Sequence, residues 1–129
     1  MERLTYRSVA APDLESSDVF EIVEASARKN PAREITGFLI YHEGRFFQFI
    51  EGPSESLSAL LSKLESDTRH HSLEVVERGL ATQRWFPDWA MKRVISFSSM
   101  PALEELRSTL STREGGSTLL AQVEEFLAP

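Results

Sequence analysis

The run Arg45 to Glu51, in which Phe46, Phe47, Gln48, Phe49 and Ile50 follow one another, constrains this chain more than any other segment. An extended strand sends alternate side chains to opposite faces, so Phe46, Gln48 and Ile50 point one way and Phe47 and Phe49 the other. Both faces of such a strand need cover, and the sheet that holds it has to lie between two layers.

The remaining segments supply a sheet and its layers. Residues 3 to 9 alternate, with Leu4, Tyr6 and Ser8 on one face, the period of a strand, and Ala10 to Ser16 reads as loop. An N-cap at Ser17 or Asp18 leads into Val19, Ile22, Val23 and Ser26, predicting a helix to about Lys29, which Asn30-Pro31 ends because the residue before proline disfavours the helical region. Glu34 to His42 and Arg45 to Glu51 flank Glu43-Gly44, a hairpin signal. Gly52-Pro53-Ser54 opens a second helix with Leu57, Leu60, Leu61 and Leu64 on one stripe, stopping near Asp67. Leu73 to Leu80 and Trp89 to Phe97 read as two more strands, separated by a polar loop in which Trp85 is expected to be exposed, hinting at packing on the back or at a partner.

The order βαββαββ predicts an α+β fold, a ferredoxin-like sheet with two helices on one face. Those helices leave the other face bare, and Pro101 to Pro129 can cover it. Leu103, Leu106 and Leu110 form one stripe and Leu119, Leu120, Val123, Phe126 and Leu127 another, separated by Glu114-Gly115-Gly116. A core over residues 1–98 and a helical extension over residues 99–129 are therefore expected, the extension packing on the back of the sheet or against a second subunit. Apolar positions on the last two helices favour self-association.

Several function classes are disfavoured. At 129 residues the chain is expected to be one compact unit. A net charge of −6 without a dense basic run argues against nucleic-acid phosphates and anionic membrane surfaces as partners. No apolar stretch approaches the roughly 20 residues of a spanning helix, and no signal-peptide run opens the chain, so a cytoplasmic location is expected. Cysteine is absent, which removes disulfides, thiolate metal sites, cysteine nucleophiles and flavin–thiol adduct chemistry. His42, His70 and His71 lack metal-ligand spacing, and no serine sits in a nucleophile elbow or phosphate loop, so no enzyme is expected.

The polar residues set in apolar surroundings are the candidates for function. Gln48 faces inward in a phenylalanine-rich strand, at a cost of about 1–3 kcal/mol unless it is hydrogen-bonded. Tyr6 can be its partner if the two strands are neighbours. On the first helix Ile22, Ser26 and Asn30 are spaced four apart and line one face. By their chemistry alone, Tyr6 and Gln48 also fit a structural pair in a core, and Asn30 fits a helix C-cap.

Leu4-Thr5-Tyr6-Arg7-Ser8, Lys29-Asn30-Pro31, Ile35-Thr36-Gly37, Phe46-Phe47-Gln48-Phe49-Ile50-Glu51-Gly52 and Trp89-Ala90-Met91, in this order and spacing, resemble the BLUF family of flavin-binding blue-light sensors over roughly residues 3–97. The resemblance implies a short, stand-alone sensor holding FAD non-covalently, with FMN as the alternative. It implies that Asn30 holds the flavin C4 carbonyl and N3, that Gln48 lies between Tyr6 and flavin N5, and that Ile22 and Ser26 line the ring. Arg69 and His70 match the family's Arg-His pair and are expected at the ribityl or phosphate part; as bare sequence they fit a solvated helix end. On light, Tyr6 is implied to supply an electron and a proton, and Gln48 to change orientation or tautomer. Trp89 and Met91 resemble a relay near Gln48, although spacing alone makes them ordinary core residues. Lys29 stands where relatives commonly carry Asn or His, to tune the flavin or reach water. Output is expected through a homo-oligomer or a separately encoded protein. The competing reading is a ferredoxin-like protein-binding module without cofactor.

Overall fold

The computed structural model describes residues 1–90, 92–95 and 100–128. The elements are β1 (Glu2–Ala10), α1 (Ser16–Arg33), β2 (Thr36–His42), β3 (Arg45–Gly52), α2 (Ser54–Glu65), β4 (His70–Leu80), β5 (Lys92–Ile95), α3 (Met100–Ser111) and α4 (Gly116–Leu127). They give a five-stranded sheet in the order β4-β1-β3-β2-β5. The first four strands pair antiparallel and β5 runs parallel to β2. This is the ferredoxin-like sheet expected from the element order, with a parallel edge strand added.

β3 lies at the centre and is buried on both faces from Phe46 onward. In front, Ile50, Leu39 and Leu4 meet Val19 and Val23 of α1 and Leu57 of α2. Behind, Phe47 and Phe49 join Phe38 and Ile40 under Leu103, Leu106 and Leu110 of α3 and Leu119, Val123 and Phe126 of α4. The C-terminal pair therefore packs on the back of its own sheet, and its leucine stripes are not available for self-association. Gly37 is required where β2 crosses β3, since a Cβ there would run into the Phe49 carbonyl oxygen. Gly116 lets α4 start hard against the Leu110 carbonyl at the end of α3.

Three local expectations need correction. First, α1 does not stop at Lys29 but continues through Pro31 to Arg33, with Glu34 in the left-handed region at φ 57°. In the last turn proline forfeits only one helical hydrogen bond, and the end is secured by Ile35 N–H donating to the Asn30 main-chain oxygen at 3.0 Å. The helix also starts earlier, with the Glu15 N–H donating to Asp18 Oδ2 at 2.8 Å. Second, the last strand does not begin at Trp89: among the described residues it spans Lys92–Ile95, Trp89 and Ala90 precede it, and Met91 and Phe97 lie outside the described residues. Third, Trp85 is buried, 7% exposed, with its ring stacked on Phe49 at 5.8 Å and the Arg3 guanidinium 3.7 Å above it. The loop looks polar because Thr82, Gln83 and Arg84 precede the two aromatics, which fold under the sheet to complete the back core.

Candidate functional site

On the front of the sheet, α1 and α2 stand apart and leave a cleft with about 850 Å³ of space, its open mouth included. Its floor is Tyr6, Leu39, Phe46 and Gln48 of the sheet; Ile22, Ser26, Lys29 and Arg33 line it from α1; and Leu60, Lys63 and Leu64 line it from α2. Asp67, Arg69 and His70 close the remaining end. The cleft is apolar at its floor and walls, with a few converging polar groups, as a small-molecule site requires.

Tyr6 and Gln48 sit directly opposite each other in the β1–β3 ladder, 3% and 5% exposed. Strand alternation delivers both to the front face because Leu4, Tyr6 and Ser8 share a side of β1, as do Phe46, Gln48 and Ile50 of β3. Burial, and secondarily the Asp67 carboxylate, push the Tyr6 phenol above the ordinary tyrosine value of 10.0. Near neutral pH Tyr6 therefore keeps its proton.

His70 is fixed at both ring nitrogens: Nε2 lies 2.6 Å from the Leu64 carbonyl oxygen and Nδ1 2.7 Å from the Ser8 hydroxyl. A carbonyl only accepts, so Nε2 carries the proton, and in the neutral ring Nδ1 accepts from Ser8. The ring packs 6.4 Å from both Tyr6 and Phe46. Arg69 grips Asp67 through Nε at 3.0 Å and Nη2 at 2.6 Å. That contact holds the Asp67 carboxyl below its usual value and raises Arg69. Four cationic side chains, Lys29, Arg33, Lys63 and Arg69, thus line the cleft against one carboxylate, Asp67.

The structure gathers seven of the expected site residues in this cleft: Tyr6, Ile22, Ser26, Lys29, Gln48, Arg69 and His70. Asn30 is not among the cleft-lining residues: it is 1% exposed and its Nδ2 donates to the Ala90 carbonyl at 2.6 Å. Trp89 does not line the cleft either; its ring stacks on Phe86 at 4.6 Å and meets Phe38 edge-on, in the back layer. Because it precedes β5, strand alternation does not govern its side. Met91 lies outside the described residues.

Sequence reasoning passed over one buried polar arrangement beside the site. Glu51 is fully buried and accepts from the main-chain N–H groups of Trp85 at 2.7 Å and Phe86 at 2.8 Å and from the Thr36 hydroxyl at 2.9 Å. Arg84 donates to Thr36 Oγ1 and to the Glu51 and Glu34 main-chain carbonyls. The signal was a carboxylate in phase with Phe47 and Phe49, facing the back core where only hydrogen bonds could keep it.

The comparisons agree with this geometry. The family model for BLUF, sensors of blue-light using FAD, matches residues 1–92. The photoactivated adenylate cyclase subunit beta of Euglena longa is 33% identical over 110 residues, which is 82% of this chain but 13% of that protein. The chain thus spans about an eighth of the curated relative it matches. The dark-state structure of the BLUF protein BlrB is 31% identical with a TM-score of 0.73, covering 94% of this chain and 96% of BlrB. BlrP1 of Klebsiella pneumoniae, solved with FMN and cyclic diGMP, is 29% identical with a TM-score of 0.82, covering 98% of this chain and 34% of that one. No helix among the described residues is long and apolar enough to cross a membrane. With the family model covering most of the chain and the cleft built from the expected residues, this protein belongs to the BLUF family of flavin-binding blue-light sensors.

Proposed function

We propose that these 129 residues form a light-sensing domain in which Tyr6 and Gln48 act together on a flavin held in the α1–α2 cleft, and that FAD is the resident form. The observation that carries this is the cross-strand placement of a buried, proton-retaining phenol beside a buried carboxamide on the floor of that cleft. The donor set fits the cofactor. Ile22 on one wall and Leu60 and Leu64 on the other suit the faces of a flat ring, and the cations at the cleft suit a phosphate or pyrophosphate. When bound, the flavin supplies the blue-light absorption and an electron acceptor.

The chain's own residues do the rest. Tyr6 is the electron and proton donor, its proton kept in place by burial. Gln48 is the switch, because a carboxamide presents donors at one end and an acceptor at the other and exchanges them by turning over. His70, held at both nitrogens, positions the floor beside Tyr6. Asn30 and Glu51 position the segment between β4 and β5, which carries Trp85 and Trp89. Trp89 and Met91 are proposed to pass the change onward, the former from the back layer. Residues 1–98 do the sensing, and residues 99–129, packed behind β3, receive its result.

Purified protein is expected to be yellow and to show a reversible red shift of its flavin band under blue light. Protein that stays colourless after reconstitution with FAD and with FMN overturns this reading in favour of a cofactor-free binding module.

A further inference from the structure

The end of α1 is fastened by a side chain from far along the sequence. α1 walls the cleft with Ile22, Ser26, Lys29 and Arg33 and is capped by Glu34 in the left-handed region. Arg84, half-buried and 50 residues further on in the loop after β4, donates from Nη2 to the Glu34 main-chain carbonyl. Its Nη1 donates to the Thr36 hydroxyl at 2.9 Å and to the Glu51 main-chain carbonyl at 3.1 Å. One guanidinium therefore ties together the cap of α1, the start of β2 and the end of β3. The packing there is close, since a Cβ at Gly52 would lie 2.6 Å from the same Glu34 carbonyl oxygen.

The charge suits its place. A helix C-terminus carries partial negative charge and its last carbonyls lack helical donors, so a cation with several N–H groups is favoured there. The Glu51 carboxylate adds a full negative charge, bridged to Arg84 by the Thr36 hydroxyl, which accepts from Nη1 and donates to Glu51 Oε2 at 2.9 Å. That carboxylate also receives the Trp85 and Phe86 N–H groups, so the residues that follow Arg84 are held by the strand that Arg84 itself holds.

We propose that Arg84 is a positioning residue for the light reaction: it fixes the α1 wall of the cleft against the β3 floor and thereby sets the lifetime of the switched state. The inference rests on the reading of the cleft as the flavin site and of Gln48 as the switch. Gln48 lies on the cleft floor, on the same strand as Glu51, so a side chain that braces β3 against α1 governs the room in which the amide turns over. Loosening the brace lowers the barrier to turning back. Lysine cannot take this place, because an ammonium is a point charge and only the planar fork reaches acceptors on three elements at once.

Arg84→Gln removes the charge and the fork, whereas Arg84→Lys keeps the charge and loses the fork. In flavin-free protein, amide hydrogen exchange is expected to quicken several-fold over residues 30–36 in both variants and to stay unchanged in α2. In protein loaded with FAD, the red-shifted band is expected to return to its dark position several-fold faster in both variants, with FAD affinity little changed. A merely structural role would quicken exchange throughout the chain or weaken FAD binding while leaving the recovery rate as it was, and that pattern overturns the proposal. Recovery restored to the original rate by Arg84→Lys overturns it too. An unmodified chain that takes up no FAD, or takes it up without a red shift, overturns the reading of the cleft and this inference with it. An unmodified chain that switches normally, beside an Arg84→Gln variant that recovers no faster, overturns this inference alone.

Discussion

Tyr6 and Gln48 are direct cross-strand partners on β1 and β3, each within a few per cent of complete burial, on the front face beneath the cleft. Gln48→Leu keeps the bulk and removes both ends of the amide, and Gln48→Glu installs a fixed acceptor when ionised. Both variants are expected to bind flavin and lose the normal light-induced red shift completely. Absorption difference spectra check this, and a retained shift in either variant removes Gln48 from the switch.

The Tyr6 phenol, raised by burial and then by Asp67, should make stability depend on alkaline pH. Its folded pKa lies above the unfolded value of about 10, so the neutral phenol's contribution is fully present below about 10 and is lost as pH rises through the folded pKa. Denaturant melts across that window should show stability falling with pH. Tyr6→Phe should flatten the fall, and an unchanged slope would mean that Tyr6 titrates normally.

Asn30 bonds to Ala90 through protein atoms alone. Asn30→Ala leaves the Ala90 carbonyl without that donor and should cost about 1–3 kcal/mol. The loss should appear in flavin-free protein. Destabilisation seen only in the flavin-loaded form would instead make Asn30 a cofactor anchor, as the family resemblance first implied.

Glu51 receives two main-chain N–H groups and one hydroxyl while fully buried. Glu51→Gln replaces an acceptor oxygen with an NH2 group that faces N–H donors and is expected to lower stability by about 1–3 kcal/mol, while Thr36→Val removes two bonds, the one given to Glu51 and the one received from Arg84, at about 0.5–1.5 kcal/mol each. Chemical denaturation measures both, and unchanged stability in Glu51→Gln would show that the loop's N–H groups find other acceptors.

The cleft cations predict how flavins are ranked. FMN and FAD should bind more tightly than riboflavin, and the advantage should shrink several-fold in Arg33→Gln/Lys63→Gln and at high salt, because exposed charges are screened within about a Debye length of ~8–10 Å. Fluorescence titration with the three flavins checks it. Equal affinities would place the phosphates away from Arg33 and Lys63.

Elements with a strong period were legible in the sequence. The alternation of Phe46 to Ile50 gave the central strand and both its faces, and the Leu103 and Leu119 stripes gave the back layer. Seven cleft residues followed from resemblance and spacing together. The misreadings share a cause: at Asn30, Trp85 and Trp89 a tertiary contact overrode a local rule. Proline is a terminator by local sterics, but in a final turn whose preceding asparagine is held by Ala90 it is tolerated. Trp85 follows a polar run, yet a carboxylate 34 residues earlier pulls its main chain under the sheet. No window short enough to carry a periodic pattern contains both partners of such a contact.

The fastenings at Glu51 and Asn30 have a mechanical consequence. Glu51 pins the main chain at Phe86, Asn30 pins it at Ala90, and the Gly37 N–H holds the Trp89 carbonyl at 2.8 Å between them. Within this short strap the Trp89 N–H donates to the Phe86 carbonyl at 3.2 Å, closing a turn, so the strap is held at both ends and across its middle. One end is buckled to the strand that bears Gln48, the other to the helix that walls the cleft, and Trp89 rides on the strap facing the back layer. A small yield at either buckle has to be taken up along the strap, which makes it a lever between the two faces of the sheet.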